Sequence, residues 1–403
     1  MQEITTARDV PPLRATLAAL SANLVGIGLA RFGYTPLIPA LITAGWFRPS
    51  AAVYLGAANL AGYLAGALGA RWIAARAGAA TALRAAMALT AASLFACAFP
   101  LGFDWFFVWR FISGGTGGVL MALAAPVVMP IIPADRRGLA GGAIFTGVGL
   151  GIAASGTLVP ALMEWGLAET WFGLGALSLA LTALAWNSWP AAVPSTPAVP
   201  QKKLPAGSAR VLRALYMEYA LNAVGLVPHM LFLVDFVARS LGRGLHSGAV
   251  YWIIFGAGAV IGPIVGGYAG DRLGFRTALR FAFIIQALCV ALPLIAMGTL
   301  AMALSSFIVG AFVPGIVAIT IGRTRELIPA DPAAQAAAWS YCTTAFAIGQ
   351  AVAGYAFSYI FARSENGYPA LFALGAAALL LALAIDLIFG RATARAASAR
   401  PVA

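Results

Sequence analysis

Phe111-Ile112-Ser113-Gly114, followed by Ile132-Pro133-Ala134-Asp135, returns as Phe307-Ile308-Val309-Gly310 followed by Ile328-Pro329-Ala330-Asp331, displaced by 196 residues with the internal spacing unchanged. At the same displacement Arg76, Gly78 and Thr81-Ala82-Leu83-Arg84 reappear as Arg272, Gly274 and Thr277-Ala278-Leu279-Arg280. The chain is a duplication, so each half can be read against the other.

Composition decides the medium in which the two halves fold. Of 403 residues, 62% are hydrophobic and 9% charged, with a mean hydropathy of +0.90. That leaves too little polar surface to cover a soluble globule of this size. Apolar runs long enough to cross a bilayer, roughly 20 residues each, recur over 15–42, 50–74, 81–101, 104–131, 139–163 and 170–189, then over 212–238, 246–270, 277–297, 299–322, 334–361 and 367–389. Backbone groups in hydrocarbon need partners within their own structure, and these runs are too long and too weakly alternating for barrel strands. The expected fold is an all-α membrane protein of twelve transmembrane helices in two pseudo-symmetric six-helix bundles. Residues 1–189 form the first bundle and 211–403 the second. Residues 190–210, with five prolines and two lysines, read as an extended linker between them.

A net charge of +12 raises the question of nucleic acid, and the placement of the charges answers it. Arg48, Arg239, Arg243 and Arg363 fall on one side of the predicted spans, and Arg31 and Arg110 lie within helices. The remaining Lys and Arg, among them Arg14, Arg76, Arg136, Lys202, Lys203, Arg272 and Arg323, gather on the other side. The positive-inside rule makes that side cytoplasmic, with both termini on it. The first apolar run is too long for a cleavable signal peptide and carries Arg31, so it reads as a retained helix. The expected location is a bacterial inner membrane, multi-pass, with the bilayer rather than nucleic acid as partner and the protein acting as a monomer.

Cys97, Cys289 and Cys342 stand in apolar segments without paired spacing and read as small buried hydrophobes, with no disulfide and no metal site. Short tails leave no expected soluble catalytic domain. No nucleophile, base and orienting group occur together, so no enzyme and no cofactor are expected. Gly114-Gly115-Thr116-Gly117-Gly118 lacks the Lys-Ser/Thr ending of a phosphate loop, and Gly147-Val148-Gly149-Leu150-Gly151 lacks the strand and acidic residue of a dinucleotide fold. Glycines spaced by four, as in Gly62/Gly66 and Gly258/Gly262, instead suit close helix crossings that could also slide.

At the end of the eighth span stands Gly267-Tyr268-Ala269-Gly270-Asp271-Arg272-Leu273-Gly274-Phe275-Arg276. This resembles the Gly-x-x-x-Asp-Arg-x-Gly-x-Arg signature of the major facilitator superfamily. Arg110-Phe111-Ile112-Ser113-Gly114 is similar to its Arg-x-x-Gln-Gly element, with Ser113 in place of Gln. The segments Gly26 to Leu37 and Tyr54 to Tyr63 look like one largely uncharacterised bacterial branch of that superfamily. The resemblance covers essentially the whole chain and implies a secondary transporter working by alternating access about a central cavity. It also implies a gating role for Asp271, Arg272, Gly274 and Arg276, with Asp271 facing the start of the fifth helix near Gly138 and Arg110 facing the cavity. The chain departs from the pattern where Ala75 replaces the Asp in the first half. It departs again where the antiporter string Gly262-Pro263-Ile264-Val265-Gly266-Gly267 lies on the eighth helix rather than the fifth.

Arg31 falls about 16 residues into the first span, roughly 24 Å at 1.5 Å per residue. An arginine there costs roughly 2.5 to 3.5 kcal/mol even on the lenient insertion scale, so it faces a cavity or a partner. Its planar fork suits a carboxylate or phosphate, which makes a small organic anion the expected substrate. A structural ion pair or a cap to carbonyls near Pro36 is the other reading. Asn59, Asn222 and Tyr34 are further expected substrate contacts. Glu218, His229 and Asp235 on the seventh span are the candidates for proton coupling. Two other functions stay open: a proton-coupled exporter of hydrophobic or cationic compounds, favoured if the cavity is mainly aromatic and Arg31 is paired to a carboxylate, and a non-transporting membrane sensor.

Overall fold

The computed structural model describes residues 10–133, 136–190, 206–328, 331–364 and 367–398, without the side chains of 137, 138, 206, 332, 333 and 390–398. Within them twelve helices are long and apolar enough to span a membrane: α1 (Pro12–Thr43), α2 (Pro49–Ala77), α3 (Ala79–Ala96), α4 (Phe103–Ile131), α5 (Leu139–Met163), α6 (Leu167–Ala185), α7 (Gly207–Ser240), α8 (Gly244–Leu273), α9 (Phe275–Ile295), α10 (Thr299–Leu327), α11 (Ala334–Arg363) and α12 (Tyr368–Phe389). The linker expected over 190–210 lies mostly outside the described residues. Because the spans alternate in direction, residues 131, 185, 207, 273 and 334 share one end of the molecule, here called the linker end.

The duplication has a structural cause at the crossings of α2 with α4 and of α8 with α10. A Cβ added to Gly62 would strike the carbonyl oxygen of Phe111, and one added to Gly258 would strike that of Phe307. Gly66 meets the Gly115 carbonyl as Gly262 meets that of Ala311, and Gly114 meets Asn59 as Gly310 meets Phe255. Each pair is related by the 196-residue displacement, so the two halves make the same backbone-to-backbone contact with the same glycines. Lipid gives helices no hydrophobic reason to associate, and such contacts earn their dispersion and Cα–H···O interactions only where side chains are absent. The turns repeat as well: Gly78 and Gly274, which follow α2 and α8, adopt φ of +80° and +79°. That left-handed conformation is easy only for glycine. The second Ile-Pro-Ala-Asp ends in a helix cap, since the Asp331 carboxylate accepts from the Ala334 amide at 2.9 Å.

Among the described residues, wide helical turns occur in the two innermost spans. Leu24–Phe32 of α1, and Pro228–Phe232 and Phe236–Ser240 of α7, are wound in wide turns bonded to the fifth residue back. The Gly33 amide, for example, reaches the Gly28 carbonyl at 3.0 Å. Spans α1 and α7 are also the most enclosed and α6 the least. Departures from α-geometry at membrane depth are tolerated where protein surrounds them.

The halves meet through α5 against α8, α2 against α11 and α1 against α7. Along the first seam Gly149 abuts the backbone of Ala259 and Val260, Gly156 abuts Ile253 and Gly256 abuts Ala153. The Trp252 indole donates to Ser155 Oγ at 3.0 Å. One heptad further toward the linker end, Gly142 and Gly267 would be the next pair in this register. A Cβ at either meets nothing within 4 Å. The α5–α8 seam is therefore in contact from Gly149 toward the far end and parted at the level of Gly142 and Gly267, and the α1–α7 contact adds a bond on the far side, where Thr35 Oγ1 donates to the Met230 carbonyl at 2.7 Å.

Candidate functional site

A central cavity lies between the halves on the linker side of that closure. It holds about 600 Å³ of atom-free space including its mouth, and is lined by Arg31, Phe32, Tyr63, Phe145, Tyr219, Trp339, Thr343, Phe346 and Gln350 together with aliphatic and Met side chains. Arg31 reaches it from the widened segment of α1 and is half-buried. Its Nη2 donates to Gln350 Oε1 of α11 at 2.7 Å, a bond between the two halves. Its guanidinium carbon lies 5.1 Å from the Tyr63 ring centre and 5.3 Å from that of Phe32. No carboxylate lines the cavity. On the second-half wall Tyr219 packs against Phe346 at 4.7 Å and Trp339 at 6.0 Å between ring centres.

Arg110 and Tyr34 do not reach this space. They line a smaller adjoining cavity with Arg31, Asn59 and Thr35. Arg110 is 1% exposed, its Nη1 donates to the Ala30 carbonyl at 2.6 Å, and it stacks 4.2 Å from the centre of the Tyr34 ring. Tyr34 is held in place by its own bond to the Ala52 carbonyl at 2.7 Å. Asn59 Nδ2 donates to the Arg110 carbonyl at 3.2 Å. The expectation that Arg110 faces the central cavity gives way to this placement, because the close α2–α4 crossing pulls that face of α4 against α1.

The remaining sequence candidates sit elsewhere. Asn222 is fully buried within the second half, donating to Gln286 Oε1 at 2.9 Å, and joins α7 to α9 rather than facing solute. His229 is equally buried, 2.7 Å from Ser305 Oγ and edge-on to Phe372. Asp235 is paired through both oxygens to Arg239 at 2.5 and 2.8 Å and accepts from the Tyr368 hydroxyl at 2.5 Å. A carboxylate so satisfied is a structural ion pair closing the far end of α7. Glu218 differs. It is 3% exposed and makes no hydrogen bond with a described residue, yet it stands in the field of Asp386, Arg323, Arg276 and Arg280. Asp386 is buried and bridged by Arg280 and, at 3.7 Å, by Arg276.

In the gating segment Asp271 is exposed and bonds to no described residue, Arg272 lies 5.2 Å over the Tyr268 ring, and Arg276 turns to Asp386. The carboxylate that does meet a helix start is Glu326. It accepts from the Phe275 amide at the first turn of α9 at 2.9 Å and pairs with Arg323 at 2.9 Å. The expected position opposite Asp271, near Gly138 at the start of α5, falls among residues whose surroundings are not described.

Gln350, Trp339, Tyr219, Tyr63, Phe32, Phe145, Thr343 and Phe346 line the cavity without being among the residues the sequence singles out. The available signal was the duplication itself. At 196 residues' displacement Gln350 answers to Ala154, Trp339 to Ala143, Tyr219 to Asn23 and Val227 to Arg31. Cavity residues fall where the halves disagree.

Comparison with known proteins agrees with this architecture. Among solved structures, a mutant of the peptide transporter POT in complex with sulfate aligns with a TM-score of 0.73 at 15% identity, covering 97% of this chain and 96% of that one. POT in complex with sulfate gives 0.73 at 16% identity, with 93% and 94% covered. A D-xylose-proton symporter gives 0.69 at 17% identity, with 93% and 96% covered. At such identities the likeness is one of fold. No curated protein matches the chain. The family described as "Uncharacterised MFS-type transporter YbfB" matches residues 23–387, and with nearly the whole chain so covered, the protein belongs to this family of major facilitator superfamily secondary transporters.

Proposed function

We propose that the protein carries a small organic anion across the membrane, with Arg31 receiving the anionic group in the central cavity. The observation that carries the reading is the Arg31–Gln350 bond. A mid-membrane guanidinium faces the cavity with a neutral amide as its hydrogen-bond partner and no carboxylate beside it. A buried charge without its opposite is costly, and an anionic solute supplies what is missing. The ring-rich walls favour a solute with an apolar or aromatic body. Those walls also support the second reading, export of hydrophobic compounds. Arg31 without an acid weighs against a cationic cargo.

In this reading both termini and the linker end are cytoplasmic, and the conformation is inward-open. The Gly142 and Gly267 faces close on each other when the halves rock outward-open about the central site. Glu218 is the candidate for proton coupling, since His229 and Asp235 are fixed by partners away from the cavity. Counterflow of radiolabelled carboxylates in proteoliposomes tests the proposal. Exchange of an organic acid by wild type and its loss in Arg31→Gln is the expected result. Exchange by the variant equal to wild type would falsify the role of Arg31, and exchange of amines or neutral solutes alone would remove the anion.

A further inference from the structure

Among its described residues the first half holds two arginines at membrane depth, Arg110 buried and Arg31 half-buried, and no acid beside them. Its carboxylates, Glu3, Asp9, Asp104, Asp135, Glu164 and Glu169, all lie at the ends of spans or beyond them. Arg31 has access to the central cavity, but Arg110 has not. Among the described residues it meets a backbone carbonyl and a tyrosine ring, its Nε has no hydrogen-bond partner, and it forms no ion pair. Cation–π stacking offsets part of the burial cost and a carbonyl dipole some more, but neither cancels a full charge. Arg31 adds a second positive charge on the wall of the same small cavity. The two guanidiniums repel across a space from which bulk water is largely excluded.

We propose that this smaller cavity, bounded by Arg110, Arg31, Asn59 and Thr35 and sealed by Leu231, is a binding site for one small monovalent inorganic anion, such as chloride. The cavity's atom-free space, about 320 Å³ counted with its openings, is roughly half that of the central one. Leu231 packs on Gly56 at its wall and narrows it, so the space suits a halide with one or two waters better than a ring-bearing acid. The guanidiniums of Arg110 and Arg31, both on the cavity wall, are the donors, and the unpartnered Nε of Arg110 leaves its charge incompletely satisfied without an anion. The anion is a resident counter-ion and not the cargo, so the site stands whatever solute the central cavity takes. It lies between α1, α2 and α4 of the first half and α7 of the second, so its occupancy helps to hold the far-end closure.

The test uses purified full-length protein exchanged into sodium gluconate, whose anion is too large for the cavity, then titrated with sodium chloride or bromide at constant ionic strength. A saturable rise in Tm with either halide, lost in Arg110→Gln, is expected. Crystals soaked in bromide should show an anomalous peak between Arg110 and Arg31. The proposal is overturned if wild type melts alike in gluconate and chloride and no peak is found, or if the halide response survives in Arg110→Gln. A rise produced by dicarboxylates but not by halides overturns it in favour of one solute bridging both arginines. Should Arg110→Gln fail to fold, the bromide peak in wild type decides.

Discussion

Arg31 on α1 donates to Gln350 on α11 at 2.7 Å, joining the two halves at the wall of the central cavity. An anion binding at Arg31 must compete with this amide for the guanidinium. On the function proposed above, the bond is both a placeholder for substrate and a tie between the halves that move.

Removing the placeholder should strengthen substrate binding. A hydrogen bond to a charged group is worth about 1.5 to 3 kcal/mol when it cannot be replaced, and less where water enters. Gln350→Ala is expected to tighten binding of a transported acid by roughly 3- to 10-fold. Gln350→Glu, which supplies the missing carboxylate, should abolish it. Isothermal titration with the acid identified by counterflow measures both, and unchanged affinity in the Glu variant would sink the competition.

The parted seam gives a conformational test. In a background with Cys97, Cys289 and Cys342 replaced by Ala, Gly142→Cys and Gly267→Cys together should not crosslink in the conformation described here. They should crosslink as the transporter turns over, since both lie on the face continued from Gly149 and Val260. Crosslinking that stops uptake, restored by reductant, is the expected result. Rapid disulfide formation in protein locked open at the linker end would contradict the geometry.

Equivalent glycines should fail equivalently. Gly62→Val and Gly258→Val each place a side chain against a carbonyl at the same crossing, and overpacking of this kind costs about 1 to 3 kcal/mol or more. The two variants should lower the melting temperature by similar amounts. Gly267→Val, in open space, should leave the melting temperature nearly unchanged and slow transport instead. Fluorescence-detected thermal melts in detergent, beside uptake in vesicles, separate the two effects.

The seventh helix offers a contrast between coupling and support. Asp235 is buried, but its partner Arg239 keeps 28% of its side-chain surface exposed, so breaking the pair should cost about 2 to 3 kcal/mol, below the range for fully buried pairs. Asp235→Asn is expected to melt earlier while its uptake still follows an imposed pH gradient. Glu218→Gln should keep its stability and lose the response to the gradient. A gradient response intact in Glu218→Gln would remove that residue from the coupling step.

How much of this was legible depends on what kind of signal each feature leaves in a sequence. The twelve spans end within five residues of their expected boundaries, because the penalty for bare backbone in hydrocarbon is local and large. The glycine crossings were legible as spacing, and the duplication marked which glycines matched. The partner of Glu326 was not, since nothing local says that a carboxylate at the end of α10 reaches the first amide of α9. Asn222, His229 and Asp235 were polar residues in apolar helices, a signal that holds equally for a bundle strut and a cavity wall.

Sequence alone determined the medium, the helices, their number, the duplication and the presence of Arg31 at membrane depth. Those properties follow from hydropathy, chain length and the positions where only glycine fits. Tertiary structure alone decided which side chains share a cavity: that Arg31 meets Gln350, that Arg110 turns instead to Ala30 and Tyr34, and that the seam between Gly142 and Gly267 stands open. The physical reason is that lipid and protein interior are both apolar. A membrane helix carries little period to mark which face looks inward, and only the packing of all twelve assigns it.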